Sequence, residues 1–352
     1  MRTGDFRGTA TSQKKTMTIS LVILGVITLS LFSTCRPGSS PSKTQEYSGR
    51  IKVGHLVGVC MSPLFLAHAK GYFKDEGLDV DLVFMPNPGD STTALTGGAV
   101  QFIHNPFTNT YLSVAQGAPL KIIAGSGNGG LYCIAQPGSG IKSIADLKNR
   151  ANTGLRVGSE RINTLELTFY RTIQNQGLNY GEFKMIWFTD HFSMLAAFQQ
   201  KQIDVVTHVE PYATMLIDKY GGVPLGNSFD VWGADSPDCV VSVRDEFLKQ
   251  YPETVKKYLR ALLRADAFIK GNQAEAVDVL DAGHYYKVDK ETLRAAIPRQ
   301  PPGVDLRSGV KGMDTAITDM VSLGYLKAKP ANVVDLGLLE EVIREGKSTP
   351  QQ

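Results

Sequence analysis

The chain has 352 residues, with 37 Lys and Arg against 34 Asp and Glu, and a net charge of +3 at neutral pH. Its basic residues are dispersed instead of clustering with aromatics, which excludes a nucleic-acid surface. The four cysteines lack the close spacing of a zinc or redox motif, so a dense disulfide framework is excluded and one bridge is the most the chain offers.

The N-terminus reads as an export leader. Arg2, Arg7, Lys14 and Lys15 precede an uncharged run from Met17 to Thr34, the order of a positive n-region and an apolar h-region. Cys35 follows at once, and then RPGSSPSKTQ, a Pro, Gly and Ser stretch that behaves as a flexible spacer. Leu31 to Cys35 resembles a bacterial lipoprotein cleavage box whose cysteine is lipidated, with Phe32 and Thr34 departing from its usual residues. The alternatives are ordinary signal cleavage and an uncleaved anchor. All three place the remainder outside the membrane, as a signal peptide over 1–34, a spacer over 35–49 and about 300 residues of folded chain, enough for two domains.

From Lys52 onward, strand and helix signals alternate. Short apolar runs at Ile51 to Val57, Val100 to His104, Leu155 to Gly158 and Ile203 to Val209 each precede a helical pattern. Ser62-Pro63 opens one helix that closes at Gly71, and Asn105-Pro106 opens another that closes at Gly117, each with a capping residue, Pro at the first position and Gly past the end. Alternation of this kind implies βαβ units and an α/β class, with mostly parallel sheets flanked by helices. TTALTGGAVQFIHNP at 92–106 is echoed by LAAFQQKQIDVVTHVEP at 195–211, which predicts two similar lobes.

The lobe junctions are expected where Gly, Pro, Ser and Asp break strand-like runs, near Gln136 to Gly140 and near Ala234 to Asp238. The first lobe then takes 50–136, the second takes 137–236, and 237–346 returns to the first with the C-terminal helices, leaving 347–352 as a tail. The amphipathic stretch PETVKKYLRALLRADAFI is a packing helix of the returning part.

Taken in order, AHAKGYFKDEGLDVDLV, TTALTGGAVQF, AQGAPLKIIA, IADLKN, QQKQIDVVTHVEPYA and VSVRDEFLKQYPETVKKYLRAL resemble the periplasmic substrate-binding proteins of ABC importers. The nearest branch is the NMT1/THI5-like group of sulfonate, taurine, nitrate and thiamin-precursor binders. The resemblance runs from Lys52 to about Ile269. It implies a two-lobed, type II-like periplasmic-binding-protein fold with a two-strand hinge, a ligand in the cleft, and an ABC permease and ATPase as partners of a monomer. The group also includes intracellular thiamin-pyrimidine synthases with a CCCFC segment; here Cys60 stands alone behind an export leader.

Independently of any family, open α/β sheets bind ligands at the carboxyl ends of their strands. In the first lobe that rule selects Val59, Cys60, Ser62, Asp90, Ser91, His104, Asn105, Ser126 and Asn128. In the second it selects Ser159, Arg161, Asn163, His191, His208 and Glu210. Helix starts favour anions, and Arg161 is the one cation in these loops with bidentate geometry, so a sulfonate or carboxylate is expected. Glu210, His208, Trp187 and Trp232 leave open a heteroaromatic such as a thiamin pyrimidine precursor or a flavin; nitrate or bicarbonate is a further alternative. Each residue also has a structural reading: an exposed arginine, a helix-capping glutamate, satisfied histidines, core aromatics, and small buried thiols for Cys133 and Cys239. GSGNGG at 125–130 lacks the ending of a P-loop and the register of a dinucleotide fold, and reads as close backbone approach at the cleft.

The six histidines are scattered, and neither HExxH nor GxSxG occurs, so no catalytic residue, metal or cofactor is expected. A sensor that signals to a membrane partner is the competing class.

Overall fold

The computed structural model describes residues 45–348. The leader, Cys35 with its expected lipidation, and most of the spacer lie outside the described residues. The first lobe runs β1 (Ile51–His55), α1 (Ser62–Ala69), α2 (Tyr72–Asp75), β2 (Val80–Phe84), α3 (Pro88–Thr96), β3 (Phe102–Pro106), α4 (Phe107–Ala115) and β4 (Leu120–Asn128). The second runs β5 (Leu131–Ala135), β6 (Arg156–Glu160), α5 (Thr164–Gln174), β7 (Lys184–Phe188), α6 (His191–Gln199), β8 (Val205–Val209), α7 (Tyr212–Asp218), β9 (Val223–Asn227) and α8 (Ser228–Trp232). The chain then continues through β10 (Pro237–Arg244), α9 (Asp245–Gln250), α10 (Pro252–Gly271), α11 (Gln273–Ala282), α12 (Lys290–Ala296), α13 (Val310–Ser322) and α14 (Gly337–Ser348).

The strands form two five-stranded sheets on one plan, β2-β1-β3-β10-β4 and β7-β6-β8-β5-β9. β3 and β8, buried along their whole length, hold the central position of each. In both sheets four strands run in one direction and one inserted strand is antiparallel to both its neighbours: β10 in the first, β5 in the second. The sheets are therefore mostly parallel, as the strand–helix alternation predicts, and mixed only through the one inserted strand in each. The physical reason is that β5 and β10 are the strands entered directly after a crossing between lobes, so each runs into its sheet against the local direction.

The first crossing is earlier than the sequence suggested. The chain leaves the first sheet after Asn128, and Leu131–Ala135, expected to end the first lobe, already pairs with β8 and β9. Gly129 and Gly130 make the crossing with φ of 57° and 75°, a conformation that favours glycine, so the break lies in GSGNGG and not in QPGSG. Gly127 is needed for close approach, because a Cβ there would sit 2.5 Å from the Cα of Cys60. The return crossing leads into β10 at Pro237.

The C-terminal part does not belong to the first lobe alone. α10 and α14 pack on the first lobe's core. α13, by contrast, lies against α5 and α8, with Arg171 paired to the buried Asp319, and α12 lies against α7. One apolar cluster joins Phe107, Tyr111 and Ile122 from the first lobe, Leu165, Val209 and Tyr212 from the second, and Met313 and Ile317 from α13. The two lobes are thus closed on each other. Among the described residues no helix is long and apolar enough to cross a membrane.

Candidate functional site

The two sheets present their loops to a shared cavity. It is lined by Leu56, Gly58, Cys60, Met61 and Pro106 of the first lobe, Leu131, Asn163, Leu165, His191 and Val209 of the second, and Asp238 and Cys239 at the start of β10. The lobes touch around it: Val59 N–H donates to the Glu210 carbonyl (2.8 Å), and the Thr108 hydroxyl donates to the Ile162 carbonyl (3.0 Å). The space left for the centre of a water-sized sphere is about 10 Å³, enough for about one water or ion. A larger solute enters only when the lobes part.

On the first-lobe side the backbone of Cys60 is fixed at both ends. Its N–H donates to Gln300 Oε1 (2.8 Å) and its carbonyl accepts from Ser126 Oγ (2.6 Å). Ser126 in turn takes the Nδ1 proton of His104 (2.7 Å), whose Nε2 then accepts from the Tyr258 hydroxyl (2.8 Å). Burial pushes the His104 pKa down to about 3, so this imidazole is a neutral core relay that positions Cys60 and does not line the cavity.

The inserted strand β10 supplies the acid. Asp238 Oδ1 accepts from Thr164 Oγ1 (2.7 Å) and Oδ2 from Gln300 Nε2 (3.0 Å), and the Cys239 thiol is 3.4 Å from Oδ2. Burial raises the Asp238 pKa, opposed by its hydroxyl and thiol donors.

The second-lobe side is built by short caps. Asn163 caps α5 by accepting from Leu165 N–H (3.0 Å) and donates to Glu160 Oε2 (2.8 Å). Asp190 caps α6 by accepting from the N–H groups of Phe192 and Ser193. That cap sets His191 at the cavity wall, its Nδ1 2.9 Å from Glu160 Oε1, near but not aligned as a linear hydrogen bond. Burial works to lower the His191 pKa, but the charge and proximity of Glu160, with Asp238 and Asp190 behind it, raise it on balance. His208 lies beneath, accepting from Val209 N–H at Nδ1 and donating from Nε2 to the His191 carbonyl (3.1 Å). Burial, and then the charge of His191, hold its pKa down at about 3. Glu210 turns its carboxylate away to accept from Thr214 N–H (3.0 Å), and burial raises its pKa to about 7.

Of the residues expected from the sequence, Cys60, Asn163 and His191 line the cavity. Val59, Ser62, Asn105 and Glu210 are chain neighbours of lining residues, and Ser62 Oγ, Asn105 Oδ1 and Glu210 Oε1 are buried without a hydrogen-bond partner. Ser159 Oγ and Ser91 Oγ are likewise buried and unpartnered, at the end of β6 and within α3. Ser126, His104 and His208 support from behind. Asp90 is an exposed residue in the first turn of α3, held by Asn87, and Asn128 ends β4 with its side chain against Gly303.

Three residues fall elsewhere. Arg161 is absent from the cavity lining; it donates to the Tyr325 hydroxyl (3.3 Å) on the exposed surface. Trp187, 39% exposed, lies 6.0 Å from the Arg161 guanidinium on the edge strand β7. Trp232 is buried in the contact between α8 and α13.

The strand-end rule missed Asp238, Cys239 and Leu131 for a geometric reason. Antiparallel insertion brings the beginnings of β10 and β5 to the edge where the parallel strands end. The break at SPDC was the available signal. Gln300 comes from the far C-terminal segment and carried no signal in its surroundings.

Among solved structures, a ligand-binding component of an ABC-type import system from Staphylococcus aureus, with zinc bound, has a TM-score of 0.72 at 21% identity. That match covers 85% of this chain and 99% of the other. The periplasmic aliphatic sulphonate binding protein SsuA of Escherichia coli gives a TM-score of 0.66 at 17% identity, over 82% and 91% of the two chains. Both show the periplasmic-binding-protein fold. The Saccharomyces cerevisiae 4-amino-5-hydroxymethyl-2-methylpyrimidine phosphate synthase THI11 is 26% identical over 237 residues, which span 61% of this chain and 64% of the yeast protein. The family profile described as NMT1/THI5 like matches residues 60–276, more than half of the sequence, and this chain belongs to that family.

Proposed function

We propose that the chain is an extracytoplasmic solute-binding protein that holds a small ligand between its lobes and delivers it to an ABC importer, tethered through Cys35 after leader cleavage. The observation that carries this reading is the cavity itself, where loops from both lobes converge and buried polar atoms beside the lining lack partners. Closure is governed by the contacts made only in the shut state, such as Val59 to Glu210, so a ligand that adds to them shifts the population toward it. Chemistry is not required of any residue here; ATP hydrolysis belongs to the partner.

The solute class follows from the lining. It has Asp238 with Glu160 behind His191, and no Lys or Arg. The starts of α5 and α6 already hold side-chain acceptors, so their N–H groups are less free for an anion. These features favour a solute that offers hydrogen-bond donors, such as an amino-substituted heteroaromatic, a group also present in the name of the yeast relative's product. The organic anion expected from the sequence keeps one specific support, the start of α1, which has no side-chain cap.

A thermal-shift series of the purified protein against aminopyrimidines, amines, sulfonates and carboxylates tests both readings. Ligand at a hundred times its Kd adds about 2.7 kcal/mol to stability. A selective shift with the amino heteroaromatics is expected; a shift with sulfonates alone reverses the solute class, and none with any compound removes the binding reading.

A further inference from the structure

We propose that Cys60, Asp238 and Cys239 form a binding site for a soft divalent metal ion of the zinc and cadmium class at the floor of the cleft. Two sulfurs and a carboxylate oxygen, one from each residue, all lie within 4.8 Å of one another, and all three residues are buried. The two sulfurs are 2.8 Å apart. In a tetrahedral thiolate site with metal–sulfur bonds near 2.3 Å, the edge between two sulfurs is about 3.8 Å, so small side-chain rotations bring this trio to ligand spacing. Thiolates with one carboxylate are a donor set for zinc-like ions in preference to magnesium or calcium.

The trio is held as ligands are held. Gln300 accepts from Cys60 N–H and donates to Asp238 Oδ2, coupling two of the three donors, while Thr164 fixes the other carboxylate oxygen. Cys133 supplies the contrast, a thiol equally buried but placed in the second lobe's apolar core. Three protein donors leave a tetrahedral ion one position, and the cavity that these residues line has room for about one water or ion.

Binding is a proton exchange without redox change. Two S–H bonds break, two metal–sulfur bonds form, the carboxylate coordinates as it stands, and two protons pass to solvent. The site does not depend on which organic solute the cleft carries.

The test is titration of the reduced full-length protein with cobalt(II), then displacement by zinc. The expected result is one equivalent bound with a sulfur-to-cobalt charge-transfer band, lost in Cys60→Ser and in Cys239→Ser, and weakened at least tenfold in Asp238→Asn. Arg161→Ala serves as the unaffected control. Because a cysteine variant can lose its fold, isothermal titration with zinc on the unmodified protein gives a second readout, a proton release that differs between buffers by about two protons per ion. Absence of the band, its persistence in the double cysteine variant, or a Cys60–Cys239 disulfide in protein secreted and purified without reductant overturns the site. Solute binding in the thermal-shift series with no cobalt band sinks the metal site alone and leaves the binding reading standing.

Discussion

Two polar clusters lie a few residues apart in sequence and behave as opposites. Away from the cleft, the buried Glu166 accepts from the hydroxyls of Tyr180 and Tyr325 and from Ile162 N–H, and the exposed Arg161 sits 5.5 Å over the Tyr325 ring. Each strong group there has a strong partner. At the cleft, His191 and Glu160 face each other out of line, and hydroxyl, amide and carboxylate oxygens beside the lining are buried without partners. Leaving such groups unpaired costs about 1–3 kcal/mol each, a cost that a ligand bonding to them recovers. Unspent bonding capacity that converges on the cavity therefore sets the cleft apart, and the arginine that looked like an anchor belongs to the saturated cluster.

The largest expected effect tests that contrast directly. His191→Gln or Asp238→Asn should lower affinity for whichever solute stabilises the protein by roughly a hundredfold or more, since each removes one member of a buried charged arrangement. Arg161→Ala should leave that affinity unchanged, as measured by isothermal titration on all three variants. Loss of binding in Arg161→Ala with retention in the other two would exchange the roles of the clusters.

Next comes the pH dependence of Glu210, whose carbonyl joins the lobes and whose carboxylate is buried. Its pKa is raised from 4.5 to about 7, first by burial, with Arg299 opposing and Asp218 reinforcing. Between these values the folded state binds more protons than the unfolded chain, so stability falls as pH rises across the window and is level above it. The change is on the order of 3 kcal/mol. Urea midpoints at pH 5 and pH 8 should differ by less in Glu210→Gln than in the unmodified protein, and equal differences would show that Glu210 ionises freely in the fold.

Much of this architecture was legible in the chain. The helix starts near Ser62-Pro63 and Asn105-Pro106 and the echo of 92–106 in 195–211 carry the repeated plan, because proline starts, glycine stops and apolar runs are local. The expected caps did not form: Met61 and Pro106 stand at the N-cap positions, and neither Ser62 nor Asn105 accepts a capping bond. The direction of β5 and β10 was not legible, since strand polarity is set by which lobe the chain has just left. That missing fact hid Asp238 and Cys239, which reach the cleft from the start of a strand. Arg161 misled for the related reason that its partner, Tyr325, is 164 residues away.

The outer cluster can also be broken from within. Tyr325→Phe removes a donor from the buried Glu166 carboxylate, a charge-assisted bond of 2.7 Å, and should cost about 2 kcal/mol of stability by urea titration. Arg161→Ala should cost less, under about 1 kcal/mol, because the guanidinium is exposed and its bond to the Tyr325 hydroxyl is long at 3.3 Å. The order matters more than either value. If Arg161 served a ligand, its removal would relieve the free protein of an unpaired charge and leave stability unchanged or raised. If it is a strut over Tyr325, its removal weakens the fold slightly and leaves the solute untouched. A small loss that shrinks in high salt is the result expected of the strut.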